Sequence, residues 1–187
     1  ERGALVASDE CYLSLAWDAE PVSVLHADVS GGRTDGLLAV HSLSKSSNLA
    51  GYRAGFVAGD PAVVARLLAI RRHAGLIVPR PVQAAMTAAL GDDGHVAEQR
   101  ERYRRRRAAL LPAVRAAGFT VDHSEAGLYL WTRRNGQLAA QLVDWFAGLG
   151  ILVAPGTFYG PTGAGHVRLA LTATDERIAE AVRRLAA

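Results

Sequence analysis

Lys45 is the single lysine among the 21 basic residues of this 187-residue chain; every other cation is an arginine. A primary amine forms a Schiff base with an aldehyde, which a guanidinium does not. Near it in sequence stand Ser42 and Ser44, whose hydroxyls can donate to anionic oxygens, and Arg53, whose planar fork of donors suits a phosphate. Gly51 and Gly55 allow backbone to approach a ligand closely. An amine beside a phosphate cradle points to an aldehyde that carries a phosphate, and pyridoxal 5′-phosphate is such a group. A second candidate lies upstream, where Asp9 sits at the end of an apolar run. In open α/β sheets ligands lie at the carboxyl ends of strands, although position alone favours a turn or cap aspartate.

The elements that must position these residues can be read from the apolar pattern. Ala4 to Ser8, Leu37 to Val40 and Ala54 to Ala58 read as buried strands, the first of parallel type, and the Ser42 to Phe56 loop closes over the ends of the last two. Between the first two, Trp17 to Gly36 reads as surface connection with one helical turn around Val24 to Asp28. Pro61 opens a helix ended by Gly75, Val82 to Leu90 forms a second, and a long helix runs from Gly94 to about Ala117, closed by Gly118. From Phe119 the texture changes to short strands (Phe119 to Asp122, Leu128 to Thr132, Ile151 to Ala154, Val167 to Leu171) and two helices, Gln137 to Leu149 and Asp175 to Leu185. The expected class is α/β: the C-terminal part of a large domain (1–93) with a mostly parallel sheet, a bridging helix (94–118), and a small α+β domain (119–187).

The stretch Ser42-Leu-Ser-Lys-Ser-Ser-Asn-Leu-Ala-Gly-Tyr-Arg-Ala-Gly-Phe56 resembles the lysine-site motif of class I/II aminotransferases, fold-type-I enzymes that use pyridoxal phosphate. The likeness extends over Ser8-Asp-Glu-Cys-Tyr-Leu13, Pro79-Arg-Pro-Val-Gln-Ala-Ala-Met86 and Ser124-Glu-Ala-Gly-Leu-Tyr-Leu-Trp131. Within the family the wording is most similar to actinobacterial succinyldiaminopimelate transaminases. The resemblance implies that Lys45 is the Schiff-base and proton-moving lysine and that Ser42 and Arg53 hold the phosphate, with Ser44 as a further hydroxyl donor beside them. It implies that Asp9 keeps the pyridine nitrogen protonated, that Tyr12 meets the ring's phenolic oxygen, and that Arg168 binds the substrate α-carboxylate. A carboxylate facing the ring nitrogen favours the pyridinium, which makes the ring an electron sink. A substrate with a remote second carboxylate needs another cation, for which Arg80, between Pro79 and Pro81, is the candidate, a surface arginine at a helix start being the alternative. The turn Pro155-Gly-Thr-Phe-Tyr-Gly160 departs from the family's Pro-Gly-x-x-Phe-Gly by one residue.

Composition narrows the alternatives. The formal charge is only +3, so no polyanionic partner is required. Six arginines between Arg100 and Arg107 lie in a helical pattern whose apolar face is Val96, Tyr103, Leu110, Leu111 and Val114; the arginines fill the solvated faces, with Glu98 and Glu101 at helical spacing. Nucleic acid is therefore not an expected partner. The lone Cys11 allows no intrachain disulfide, the six histidines show no metal-ligand spacing, and no apolar run reaches membrane-spanning length. The partners expected are an amino donor and a 2-oxo acid, with a homodimer of the full-length enzyme in the cytoplasm. Three strands before the helical middle are too few for a fold-type-I large domain, so the chain reads as a C-terminal half, inactive alone. The ligand-sensing, aminotransferase-like domain of a transcription regulator stays open as an alternative, as does an aminotransferase for another amino acid.

Overall fold

A computed structural model describes residues 3–186. The chain divides into two compact units, one ending at Arg100 and one beginning at Glu101.

The first unit is built on three strands in the order β1 (Val6–Asp9), β2 (Leu37–Ser42), β3 (Gly55–Gly59). β1 runs parallel to β2 with Asp9 opposite Val40, and β3 runs antiparallel to β2 with Gly55 opposite Ser42. This arrangement brings the carboxyl ends of β1 and β2 to one edge, where Asp9 and the segment after Ser42 emerge. The connection between them contains α1 (Ala27–Ser30), one turn later than its apolar pattern indicates. The shift follows from His26, whose Nδ1 accepts from the Asp28 amide and caps the turn, and from Gly31, which ends it in the left-handed region at φ 65°.

After β3, Asp60 accepts from the Ala62 and Val63 amides at 2.8 and 3.3 Å and so starts α3 (Pro61–His73), with Pro61 in the first turn. Its second oxygen accepts from the Gly36 amide at 2.8 Å, tying the helix start to the entry of β2. α4 (Arg80–Leu90) and α5 (Gly94–Ala116) follow. The strands differ from expectation in burial. Leu38 and Ala39 of β2 are buried, but Val6, Phe56 and Val57 are 46, 37 and 40 % exposed. β1 and β3 are the two edges of a three-stranded sheet. The α3 stripe is exposed in the same way at Leu67, Leu68 and Ile70.

The second unit is a four-stranded antiparallel sheet in the order β4 (Thr120–Asp122), β5 (Tyr129–Arg133), β7 (His166–Ala170), β6 (Ala154–Pro155), with α6 (Ala139–Gly148) and α7 (Asp175–Leu185). One sheet face is core: Val121, Leu130, Val167 and Leu169 bury with Leu142 and Phe146 of α6, Ile178 of α7, and Leu110 and Val114 of α5. Each such side chain contributes about 1.5–3 kcal/mol by leaving water. β6 is shorter than the apolar run Ile151 to Ala154. Gly150, at φ 66°, and Ile151 are spent closing α6, their amides donating to Ala147 and Phe146, and Leu152 is left 98 % exposed.

The arginine-rich stretch also departs from its expectation as a solvated face. Glu101 pairs with Arg104 and approaches Arg105, as helical spacing anticipates. Arg100, however, donates twice to the Ala16 carbonyl within the first unit, while Arg106 reaches Asp175 and the Leu171 carbonyl, and Arg107 the Ser124 hydroxyl, within the second. These guanidinium groups act as staples.

Candidate active site

Ser42 ends β2 in an extended conformation and caps α2 (Leu43–Ser46), its Oγ accepting from the Ser44 amide at 3.1 Å. It also donates to the Ser44 Oγ at 2.8 Å, so the two hydroxyls converge. Lys45 lies on this single turn, half-buried, and buried Leu43 anchors the turn beneath it. The chain leaves through Asn48 at φ 54° and a short 3-10 helix, Ala50–Tyr52, ended by Arg53 at φ 53°. Two non-glycine residues held left-handed within six positions mark a loop whose course is fixed against local preference. The Arg53 guanidinium is exposed and donates to the Ala50 carbonyl at 3.2 Å.

On the neighbouring strand end, Asp9 accepts from the Cys11 amide at 3.1 Å. Hydrogen bonds from the Cys11 thiol and amide hold its carboxyl below the usual aspartate range, against a small opposing effect of burial. Burial, then the hydrogen bond and charge of Asp9, push the Cys11 thiol up to about 11, while Lys45 pulls the other way. Asp9 lies opposite Val40 at the end of β1, and Lys45 follows Ser42 at the end of β2, so both residues stand at the same sheet edge. Tyr12 is half-buried in the turn after Cys11, its carbonyl accepting from the Leu15 amide.

Arg80 is the first residue of α4 and is exposed. A groove of about 950 Å³ in this unit lies elsewhere, between β3, α3 and α4; it is lined by Val57, Leu67, Leu68, Ile77 and Met86 and touched by Arg53, but not by Lys45 or Asp9. The polar chemistry gathers at the β1 and β2 ends, not in that apolar groove.

In the second unit Arg168 lies on β7 opposite Trp131 of β5 and Ala154 of β6. Val167 and Leu169 on either side face the core, so Arg168 projects from the open face, where it is half-buried. Its guanidinium lies 4.0 Å from the Tyr129 ring centre and 5.0 Å from that of Tyr159, and its buried Nε has no hydrogen-bond partner. A cavity of about 420 Å³ opens there, bounded by His123, Tyr129, Trp131 and Tyr159. An arginine steadied by ring faces with a donor unspent is ready for an anion. Beside it, Trp131 stacks on His166 at 4.9 Å and 9°, and His166 Nε2 and Arg133 Nε share Asp122 Oδ2 at 3.0 and 2.9 Å. This supporting group escapes a linear reading, because Asp122 and His166 are 44 residues apart. The alternation of β5 and β7 is the one signal that puts Trp131, His166 and Arg168 on a common face.

The family model for class I and II aminotransferases matches residues 1–185. The chain belongs to that family. It is 69 % identical over 184 residues to a probable aminotransferase of Mycobacterium tuberculosis, covering 98 % of this chain and 44 % of that protein. It is 60 % identical over 185 residues to the 4-dedimethylamino-4-oxo-anhydrotetracycline transaminase OxyQ of Streptomyces rimosus, covering 99 % of this chain and 51 % of that one. Among solved structures, an aminotransferase of Neisseria meningitidis superposes with a TM-score of 0.86 at 33 % identity over 97 % of this chain and 47 % of its own. The chain thus spans about half the length of the relatives it matches. The family uses pyridoxal phosphate. The residues present fit that group: a half-buried amine, two converging hydroxyls and a carboxylate held ionised meet at one sheet edge.

Proposed function

We propose that this chain carries the lysine-bearing part of a pyridoxal-phosphate-dependent transaminase whose whole polypeptide is about twice as long. The observation that carries the reading is the convergence of Lys45, Ser42, Ser44 and Asp9 at the ends of β1 and β2 in a chain of this family. The bound group supplies an electron sink for the bonds at the substrate's α-carbon. The amine of Lys45 would hold that group and would carry the proton to and from the substrate Cα. Ser42, Ser44 and Arg53 would bind the phosphate, for which the Arg53 fork would turn from the Ala50 carbonyl, an exposed partner. Asp9, ionised at neutral pH, would keep the ring nitrogen protonated, and Tyr12 would meet its phenolic oxygen. Arg168 takes the substrate α-carboxylate, with Tyr129 and Tyr159 fixing the plane of its guanidinium. Residues 1–93 belong to the large domain, 94–118 to a bridging helix and 119–187 to the small domain of a cytoplasmic homodimer.

For substrate we propose N-succinyl-L,L-2,6-diaminopimelate and 2-oxoglutarate, in the making of diaminopimelate and lysine, from the wording of the four motifs around Asp9, Lys45, Arg80 and Tyr129. The 60 % identity to OxyQ supports a second reading, a polycyclic keto acceptor, for which the aromatic walls of the Arg168 cavity are suited. Borohydride reduction of the complete, cofactor-loaded polypeptide should fix a pyridoxyl label on Lys45; a label on any other residue overturns the site. No transfer from the succinylated donor would remove that substrate while leaving the reaction class intact.

A further inference from the structure

Glu10 is the only charged side chain that is buried among the described residues, 6 % exposed. It directly follows Asp9, and its amide prolongs the β1–β2 ladder by donating to the Val40 carbonyl at 2.8 Å. One carboxylate oxygen accepts from the Val24 amide at 2.7 Å. The other lies 3.3 Å from Nε2 of His41, within ion-pair reach though outside full hydrogen-bond geometry. His41 directly precedes Ser42 and stacks on Phe56, its cross-strand partner in β3, at 4.9 Å and 20°. Burial pushes the Glu10 carboxyl up, but the Val24 amide, the Ser23 and Ser8 hydroxyls and His41 outweigh it, so the group is ionised at neutral pH.

The placement is what makes this pair more than a structural contact. β1 is an exposed edge strand of four residues, joined to β2 over only four residue pairs. Its last residue is Asp9, and the site's other half begins at Ser42, so the spacing between carboxylate and hydroxyl turn depends on how firmly those two ends are held. Glu10 and His41 each sit one residue from a site residue and join the same two ends from within the unit. A carboxylate withdrawn from water holds an ion-pairing partner firmly, and beside its contacts to Val24, Ser23 and Ser8 the side chain that Glu10 faces on β2 is His41.

We propose that Glu10 and His41 are positioning residues that set the spacing of Asp9 and Ser42 and thereby the affinity for pyridoxal phosphate. The inference rests on the transaminase reading, and its test separates the two. In the complete polypeptide, pyridoxal 5′-phosphate is titrated into cofactor-free wild type, His41→Phe, Glu10→Gln and the double variant, following the visible band of the lysine-bound group. The melting midpoint of each cofactor-free form is measured alongside. His41→Phe preserves the stack on Phe56 and removes the nitrogen facing Glu10; it should weaken binding about tenfold or more. Glu10→Gln, which keeps shape and the Val24 acceptor, should weaken it several-fold, and the double variant should bind about as His41→Phe does, since both changes delete one interaction. Wild-type affinity in His41→Phe, with only a lowered melting midpoint, overturns the inference, as do losses that simply multiply. If His41→Phe does not fold, the isosteric Glu10→Gln decides alone: unchanged affinity overturns. A wild type that gives no band removes the transaminase reading instead.

Discussion

Removing the carboxylate of Asp122 tests whether the open face of the small sheet is held by charge. In Asp122→Ala the Arg133 guanidinium, 39 % exposed, returns to water at little cost. His166 is different: its side chain is 17 % exposed and its Nδ1 already has no partner, so losing Asp122 leaves the whole imidazole unpaired. An unsatisfied buried polar group costs about 1–3 kcal/mol, so about 2 kcal/mol is expected here. For a chain of this length that is roughly 4–8 °C in melting temperature. The pH dependence has a definite sign. The effect of burial is to raise the Asp122 carboxyl, but His166 and Arg133 together carry it below the ordinary value. A group depressed on folding stabilises fully above its unfolded pKa, about 3.9 for aspartate, and the stabilisation is lost as pH falls through the folded value. Wild type and Asp122→Ala should therefore differ fully at neutral pH, and the gap should begin to narrow only as pH falls below about 4. Asp122→Asn, which keeps an uncharged acceptor, should lose less. Thermal unfolding followed by circular dichroism across this range measures all three. Equal melting at neutral pH, or a gap that already closes above about pH 5, refutes the account.

Asp9→Ala removes the proposed partner of the ring nitrogen and should lower turnover by roughly 10⁴ while circular dichroism stays unchanged; near-normal turnover would reduce Asp9 to a turn residue. Gly156→Ala should destabilise by about 1–3 kcal/mol, because an added Cβ would overlap the Gly163 carbonyl and lie 2.7 Å from that of His166; a wild-type melting curve refutes it. Arg80→Ala should raise KM for the succinylated donor several-fold and leave a donor without the remote carboxylate unaffected. Equal losses on both would take Arg80 out of the pocket.

Elements with local signals were legible from sequence. α7 spans Asp175–Leu185 as the pattern indicates, because Thr174 caps it through the Arg177 amide and Ile178 and Leu185 mark its buried side. α3 begins where Asp60-Pro61 says it must. Features that depend on distant partners were not legible. The apolar runs of β1 and β3 signal buried strands, yet Val6, Phe56 and Val57 lie exposed on the two edge strands of the sheet. Of the site, the contiguous Ser42-Ser44-Lys45 turn could be read as a unit. The Glu10–His41 pair and the Asp122–His166–Trp131 group could not, since they form only when strands far apart in sequence take up register.

The solitary lysine also finds a physical reason in how the arginines are used. Arg100 grips the Ala16 carbonyl through Nε and Nη2 together, and Arg184 donates to both the Leu149 and Gly150 carbonyls. Arg134 lies 4.0 Å from the Phe119 ring centre and 4.5 Å from that of Trp145 while donating to the Ala117 carbonyl. Contacts of this kind need a planar fork or a stacking face, and an ammonium provides neither. Arginine at these positions is thus explained by packing and hydrogen bonding within each unit. Lys45 is placed differently, on a one-turn helix whose cap is made by Ser42 and whose anchor is Leu43. An arginine there could equally cover the turn, so what distinguishes the residue is the one property arginine lacks, a nitrogen that can lose its proton and attack an aldehyde. Lys45→Arg should accordingly keep the fold and the charge and abolish the borohydride-fixed label. A label retained in that variant would show that the attachment point lies elsewhere in the polypeptide.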